Sequence, residues 1–315
     1  MTGGAAPEIR LGIDLGGTKI EVAAVDAAGR PVLRRRLPTP QGDYRATLDL
    51  VRQLVVEAEQ SPCLPSGRPP LRVGVATPGA ETDEGLLQNS NSVCLNGQPL
   101  RADLETMLQR EIRLANDANC FALAEAISGA AQGAACVFGV ILGTGVGGGI
   151  VVRGQVLDGA NRIAGEWGHN PLADPSPLVP TRCYCGRQGC VESWLSGPAL
   201  AADHFRHTGR HGSPEAIVAE ALASSGEPAT AAAQATLTRY IDRLGRALAT
   251  VVNILDPQVI VLGGGLSNIP ALPERTFAAM LPHVFSAKVR TRLIRHALGD
   301  SAGVLGAAAL WAPGE

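Results

Sequence analysis

Aromatic residues make up 3% of this 315-residue chain, and its formal net charge is −2. The first shortage removes the stacking platforms on which single-stranded nucleic acids rest. The second removes the basic surface that a general nucleic-acid binder needs. No apolar run is long enough to span a bilayer, and residues 1–7 carry no apolar core of the kind that directs export. A cytoplasmic protein with neither nucleic-acid nor membrane partners is expected. The 7 cysteines are an odd number. Without an export signal, that suits reduced thiols or a metal better than a disulfide framework. Cys63, Cys94, Cys120 and Cys136 are scattered and read as small, inert hydrophobes. The length suggests roughly two domains, each large enough to bury its own core.

Glycine, by contrast, is abundant, and it is not spread evenly. The apolar run Val137–Leu142 reads as a buried strand, and five glycines follow between Gly143 and Gly149. A second apolar run, Ile150–Val152, leads into Arg153-Gly154, which reads as a tight hairpin turn. Each glycine costs conformational entropy on ordering, whereas a glycine turn lets backbone N–H groups converge on phosphate. A flexible hairpin would look the same, but a second copy argues against it. Near the start, Leu15-Gly16-Gly17-Thr18 aligns with Leu142-Gly143-Thr144-Gly145, again between two strands. The repeat implies two similar domains, with a nucleotide held between them touching both turns. Gly263-Gly264-Gly265, after the buried run Val259–Leu262, makes a third such turn.

Around these turns the chain alternates strands and helices. Helical spacing covers 43–60 with Asp43 as cap; further helices are expected at 100–110, 120–128, 199–250 (interrupted near 209–214 and 224–228), 251–255 and 303–311. Strands are expected at 71–76, 112–114 and 288–294, and a Pro- and Gly-rich loop at 61–70. Asn89, Asn91 and Asn96 share a polar loop after the Thr77-Pro78-Gly79 turn. Turn chemistry is the default for any one of them, and hydroxyl recognition also suits the group. Asp117 lies between a strand end and a helix start. Helix cap and general base aimed at the strand ends are equally weighted there. His169 with Cys183, Cys185 and Cys190 forms a Cys3His set suited to a closed tetrahedral zinc site.

The ordered motifs Asp14-Leu-Gly-Gly-Thr-Lys19, Asn116-Asp117-Ala-Asn119, Leu142-Gly-Thr-Gly-Val-Gly-Gly-Gly149, Gly165-Glu-Trp-Gly-His169, Cys183-Tyr-Cys-Gly-Arg-Gln-Gly-Cys190 and Leu262-Gly-Gly-Gly265 span nearly the whole chain. Together they resemble the ROK family (repressors, open reading frames, kinases) of the actin-like ATPase superfamily. The resemblance implies an α/β, ribonuclease H-like fold, duplicated into two domains with a cleft between them. The expected domains are 1–114, with a C-terminal helix of about 300–315 packing back on it, and 115–299, with a zinc-binding insertion at about 165–192. It implies ATP at Asp14, Gly16, Gly17, Thr18, Lys19, Gly143, Thr144, Gly145, Gly147, Gly263, Gly264 and Gly265. Mg²⁺ is expected near Asp14, and a structural zinc ion on His169, Cys183, Cys185 and Cys190. A hexose would meet Gly79, Asn91, Asn116, Asp117, Glu166, His169 and Glu192, with Asp117 as the catalytic base. A homodimer is expected. Only about a dozen residues precede Asp14, too few for a helix-turn-helix, which disfavours the repressor role.

Within the family, Asn89–Leu100 and Gly168–Leu172 resemble the fructokinase branch, whereas Leu100–Leu104 and Asn119–Leu123 resemble N-acetylglucosamine kinases. Trp167 departs from the common pattern, and its bulk is expected to crowd an N-acetyl group. The expectation from sequence is therefore an ATP-dependent hexose kinase acting on the 6-hydroxyl of fructose. The alternative is N-acetylglucosamine, glucose or mannose; from a different class, the alternative is a sugar sensor without turnover.

Overall fold

The computed structural model describes residues 8–65, 69–172, 182–223, 226–312 and 314. Outside the described residues lie segment 1–7, parts of the loops expected at 61–70 and 224–228, part of the insertion expected at 165–192, and the end of the helix expected to reach 315. The chain divides into two compact units. Unit 1 holds residues 1–133, 149–164 and 297–315, and unit 2 holds 134–148 and 165–296. Among the described residues no helix is long and apolar enough to cross a membrane.

Unit 1 opens with a meander of β1 (Ile9–Leu15), β2 (Lys19–Asp26) and β3 (Pro31–Pro38). Helix α1 (Tyr44–Glu59) follows, capped by the Asp43 carboxylate, which accepts from the Ala46 amide at 2.9 Å. Next come β4 (Arg72–Thr77), the short pair β5 (Ala80–Glu81) and β6 (Leu87–Gln88), α2 (Leu100–Leu108), β7 (Ile112–Asn116) and α3 (Asp117–Ile127). The sheet runs β3-β2-β1-β4-β7, antiparallel at β1–β2 and β2–β3 and parallel at β1–β4 and β4–β7. Leu11, Ile13, Leu15, Val73 and Val75 pack with the apolar face of α1, including Leu48, Val51 and Leu54.

The helical period of α1 and the near-continuous apolar runs of β1 and β4 have one cause, since the central strands are buried on both faces.

Beyond α3 the chain forms β8 (Cys136–Leu142), β9 (Val146–Val152) and β10 (Gln155–Val156). The helices α4 (Glu192–Leu195), α5 (Gly197–Thr208), α6 (Pro214–Leu222) and α7 (Pro228–Leu255) follow. Then come β11 (Val259–Gly263), α8 (Leu272–Met280), β12 (Arg292–Arg295) and α9 (Ala302–Ala309). The second sheet runs β10-β9-β8-β11-β12. It repeats the first sheet's pattern of a meander followed by parallel strands, as the duplicated glycine turn implied.

Three elements differ from the sequence expectation. Strand β9 starts at Val146, so Gly147, Gly148 and Gly149 lie in the strand and not in the turn. The strand expected from Lys288 begins at Arg292. There Ser286 donates to the Lys288 carbonyl and its hydroxyl accepts the Lys288 amide, making a local turn that competes with the ladder. Helix α3 begins at Asp117, three residues earlier than its Ala-rich pattern suggested.

Helix α9 belongs to unit 1 and lies on β1 and β4 at backbone distance. Gly12 and Gly74 are register partners on those strands. A Cβ at Gly12 would stand 1.9 Å from the Val304 carbonyl oxygen, and one at Gly74 would stand 1.9 Å from that of Ala307. No residue larger than glycine fits there. Trp311 closes the arrangement, donating its indole N–H to the Val73 carbonyl at 2.9 Å. The Arg113 guanidinium lies 4.0 Å from the ring centre.

Candidate functional site

In unit 1 the C-terminal ends of three parallel strands gather the predicted residues, the position at which open α/β sheets bind ligands. Asp14, one residue before the end of β1, lies beside Ala76 of β4, and Thr77 of β4 pairs with Asn116 of β7. The turn after β1 leaves Gly17, Thr18 and Lys19 exposed. Thr39 pins it by donating from its hydroxyl to the Gly16 carbonyl at 2.7 Å, and Gln41 donates to the Gly17 carbonyl at 2.6 Å. Thr39 and Gln41 escaped the sequence reading because a Thr and a Gln in a polar loop carry no motif. A cavity of about 440 Å³ beside this turn is lined by Gly17, Thr39, Gln41, Asn91 and Val93 among others.

Asn116, not Asp117, caps α3: its side-chain oxygen accepts from the Ala118 amide at 2.9 Å. Its amide group donates to the Gly79 carbonyl at 3.0 Å, so Asn116 ties the Gly79 turn to the start of the helix. Gly79 has φ +85°, and a Cβ there would meet the Gln88 carbonyl at 2.3 Å. Asp117, the first helical residue, accepts from the Ala118 amide at 2.8 Å. Two residues on, Asn119 is 8% exposed and its Oδ1 has no hydrogen-bond partner among the described residues.

Asp14 is the most perturbed carboxyl in this group. Burial, reinforced by the charges of Asp117 and Glu21, raises its pKa to about 6, against the opposing pull of Lys19 and Arg36. Glu21 faces it across the β1–β2 register and is held by Arg34 and Arg36 of β3.

The two expectations for the polar loop, turn chemistry for each asparagine and hydroxyl recognition for the group, divide among its members. Asn89 takes the left-handed conformation, φ +59°. Asn96 accepts from the Ser90 amide at 2.8 Å and donates to the Ser90 carbonyl at 2.9 Å. Asn89 serves the turn by its backbone conformation and Asn96 by its hydrogen bonds, and Asn91 is the one of the three that lines the cavity.

In unit 2, β8 and β11 run parallel with Ile141 beside Gly263. The turns Gly143–Gly145 and Gly263–Gly265 therefore emerge side by side at strand C-termini. Gly264 has φ +80°, and a Cβ there would strike the Leu142 carbonyl at 2.4 Å, whereas Gly143 and Gly265 face open space. Glu192, the first residue of α4, accepts from the Val146 amide at 2.9 Å. A Cβ at Gly145 would stand 2.7 Å from its Oε2, so that glycine admits the carboxylate. Gly147 offers its carbonyl to the Trp167 indole N–H at 2.9 Å.

Trp167 is 5% exposed, stacks edge-on against Phe138 and leaves no room for a Cβ at Gly148. Its bulk, expected from sequence to crowd an N-acetyl group, is packed against Phe138 and Gly148 of unit 2. Glu166 lies 3.9 Å from His169 Nε2. Burial raises its pKa, aided by Glu192, while His169 pulls the other way.

The ligand atoms of His169, Cys183, Cys185 and Cys190 all lie within 4.8 Å of one another. His169 Nδ1 stands 3.6 Å from Cys183 Sγ, and Cys185 Sγ 3.6 Å from Cys190 Sγ. Zinc–sulfur bonds of about 2.3 Å in a tetrahedron separate ligand atoms by roughly 3.7 Å, so the set fits that ion. With Nδ1 turned to the cysteines, Nε2 faces the Tyr184 hydroxyl at 3.1 Å.

The model of the ROK family matches residues 10–313. This chain belongs to the ROK family. An N-acetyl-D-glucosamine kinase of Escherichia coli O139:H28 is 40% identical over 309 residues, covering 95% of this chain and 98% of the relative. The enzyme of the same description from Salmonella paratyphi C is 39% identical over the same shares of the two chains. Among solved structures, a ROK hexokinase from Thermus thermophilus superposes with a TM-score of 0.82 at 32% identity, over 96% of this chain and 97% of that one. A ROK family glucokinase from Streptomyces griseus, in complex with glucose and AMPPNP, does so with 0.73 at 27%, over 96% and 98%. The ROK fold of this chain is the actin-like ATPase fold.

The Asp14 environment generates a stability test. Its pKa rises from 3.8 to about 6, so folding favours the protonated form and stability falls as pH climbs through that window. Above it the ionised carboxylate costs roughly 2–3 kcal/mol. Asp14→Asn is expected to raise the melting temperature of the ligand-free protein at pH 7.5 and to change it little at pH 4. Chemical or thermal melts at the two pH values check this, and equal shifts at both would contradict it.

Proposed function

We propose that this ROK family sugar kinase uses ATP to phosphorylate the 6-hydroxyl of N-acetyl-D-glucosamine. One observation carries the choice of sugar: near-full-length identity of about two residues in five to kinases of that specificity. The expectation of fructose rested on the Asn89–Leu100 and Gly168–Leu172 patterns and on Trp167. Asn89 and Asn96 serve the loop itself, and Trp167 is packed against Phe138. Neither leaves a reason to reject an N-acetyl arm.

In this reading Asp117 accepts the proton of the attacking hydroxyl as its oxygen bonds to the γ-phosphorus. The bond to the β,γ-bridging oxygen breaks and ADP leaves. A base so placed contributes about 10²–10⁴-fold. Unit 1 supplies Asp117, Asn91, the Gly79 turn and the exposed amides of Gly17–Lys19. Unit 2 supplies the Gly143–Gly145 and Gly263–Gly265 turns for phosphates, with Glu166, Glu192 and His169 Nε2 as hydrogen-bonding partners for the ring. Mg²⁺, with Asp14 as the nearest carboxylate to the first turn, would neutralise phosphate charge. A zinc ion on Cys183, Cys185, Cys190 and His169 Nδ1 would fix the segments that carry Glu166 and Glu192. Asp117 in place beside a buried, raised Asp14 favours turnover over a sensor that only binds.

Two measurements follow. In a panel of N-acetylglucosamine, N-acetylmannosamine, glucose, mannose and fructose, kcat/KM should rank N-acetylglucosamine first; fructose at the head would overturn the assignment of substrate. Metal analysis of a tag-free preparation should find about one zinc per chain. Cys185→Ser should release it and raise the sugar KM more than the ATP KM, whereas a metal-free wild-type protein of full activity would sink the zinc assignment.

A further inference from the structure

One buried acid in unit 1 has no part in the chemistry above. Glu125, on α3 two turns beyond Asp117, is 0% exposed. Its carboxylate accepts three backbone N–H groups: Ala130 at 2.7 Å on Oε2, Leu298 at 2.9 Å on Oε1, and Ala297 at 3.1 Å on both oxygens. Gly129 makes room for it, since a Cβ there would lie 2.2 Å from Oε2. Ala297 is the residue at which the chain re-enters unit 1, and α9 begins five residues later. Helix α9 then meets the site directly. A Cβ at Gly303 would stand 2.5 Å from Asp14 Oδ2, and one at Gly306 would stand 1.8 Å from the Cys120 carbonyl of α3. The contacts form a closed circuit from Asp117 along α3 to Glu125, across to 297–298, into α9 and back to Asp14.

We propose that Glu125 is a positioning residue for phosphoryl transfer. By holding the amides of Ala297 and Leu298 it sets the register of α9, and α9 sets the Asp14 carboxylate relative to Asp117. The inference rests on the reading of Asp14 and Asp117 given under Proposed function. The carboxylate suits the task because two oxygens serve three donors. In Glu125→Gln one oxygen becomes an NH₂ group that cannot accept: at the Oε1 place it faces the Leu298 N–H and at the Oε2 place the Ala130 N–H, so one of the three donors loses its acceptor without a change of size. Small misplacements of reacting groups are amplified, a shift of about 1 Å costing up to 10²-fold in rate.

The test uses the full chain, with Glu125→Gln and, to cut a tether to 297–298 whichever way the new amide turns, Leu298→Pro, which deletes the Leu298 donor. Turnover per folded enzyme should fall roughly tenfold or more in both, with the KM for the sugar within about twofold of the parent. A residue that only stabilised the fold would lower the melting temperature and leave that turnover unchanged. An activity-independent readout comes from a double-mutant cycle in urea. The shift in unfolding midpoint produced by Asp14→Asn at pH 7.5 should be at least halved in the Glu125→Gln background, because Asp14 is no longer crowded by α9. Unchanged turnover per folded enzyme together with an unchanged Asp14→Asn shift would overturn the proposal. If the unsubstituted chain phosphorylates no sugar, the functional reading fails, and the urea cycle still decides whether Glu125 places Asp14.

Discussion

Two carboxylates held close together out of water repel each other and lose hydration, so such a pair forms only where the surrounding structure forces it. In unit 1 the Asp14 carboxyl bears both costs, from its own burial first and from the charges of Asp117 and Glu21 after it, and the features around it follow from keeping it in place. Asp14 is the last polar position of a strand whose other residues are buried. Asp117 is fixed by starting a helix that Asn116 caps. The glycines at 12, 74, 303 and 306 let α9 approach within backbone distance and close the site from the side. Unbound, Asp14 is pushed toward its protonated form; a divalent cation with its phosphates is the kind of partner that would relieve it. Stability is thus spent at the place where a ligand would return it.

Much of this was legible in the chain. The duplicated Leu-Gly turn announced two like sheets, and their strand orders match. The helical period of 43–60 and the Asp43 cap appear as read, and so does the Arg153-Gly154 hairpin, with φ of +51° and +77°. The Cys3His set comes together, with its four ligand atoms within 4.8 Å of one another.

What the chain concealed was the division of labour among identical residues. Five glycines from 143 to 149 read as one phosphate turn. In the fold Gly143 stands open, Gly145 admits Glu192, Gly148 admits Trp167, and Gly149 lies against Ala118. Three asparagines read as turn residues that also suit hydroxyl recognition, and the chain alone did not say that Asn96 bonds the loop's own backbone while Asn91 lines the cavity. A one-dimensional pattern reports that a side chain is absent or polar, but the purpose depends on what tertiary packing brings opposite. For the same reason Glu125 was invisible: an acid in an Ala-rich helix looks solvent-facing until the chain returns, more than 170 residues later, to bring Ala297 and Leu298 to it. The expectation of fructose weighted the resemblances of Asn89–Leu100 and Gly168–Leu172 above those of Leu100–Leu104 and Asn119–Leu123, whereas the near-full-length relatives are N-acetyl-D-glucosamine kinases.

The central claim is that Asp117 is the base for transfer to a sugar hydroxyl. It is tested most directly by comparing the wild-type chain with Asp117→Asn, measuring N-acetylglucosamine binding by calorimetry and ADP formation under saturating substrates. The account predicts sugar affinity within a few-fold of wild type, an unchanged melt, and a kcat lowered by about 10²–10⁴-fold. Turnover close to wild type in the variant would contradict it.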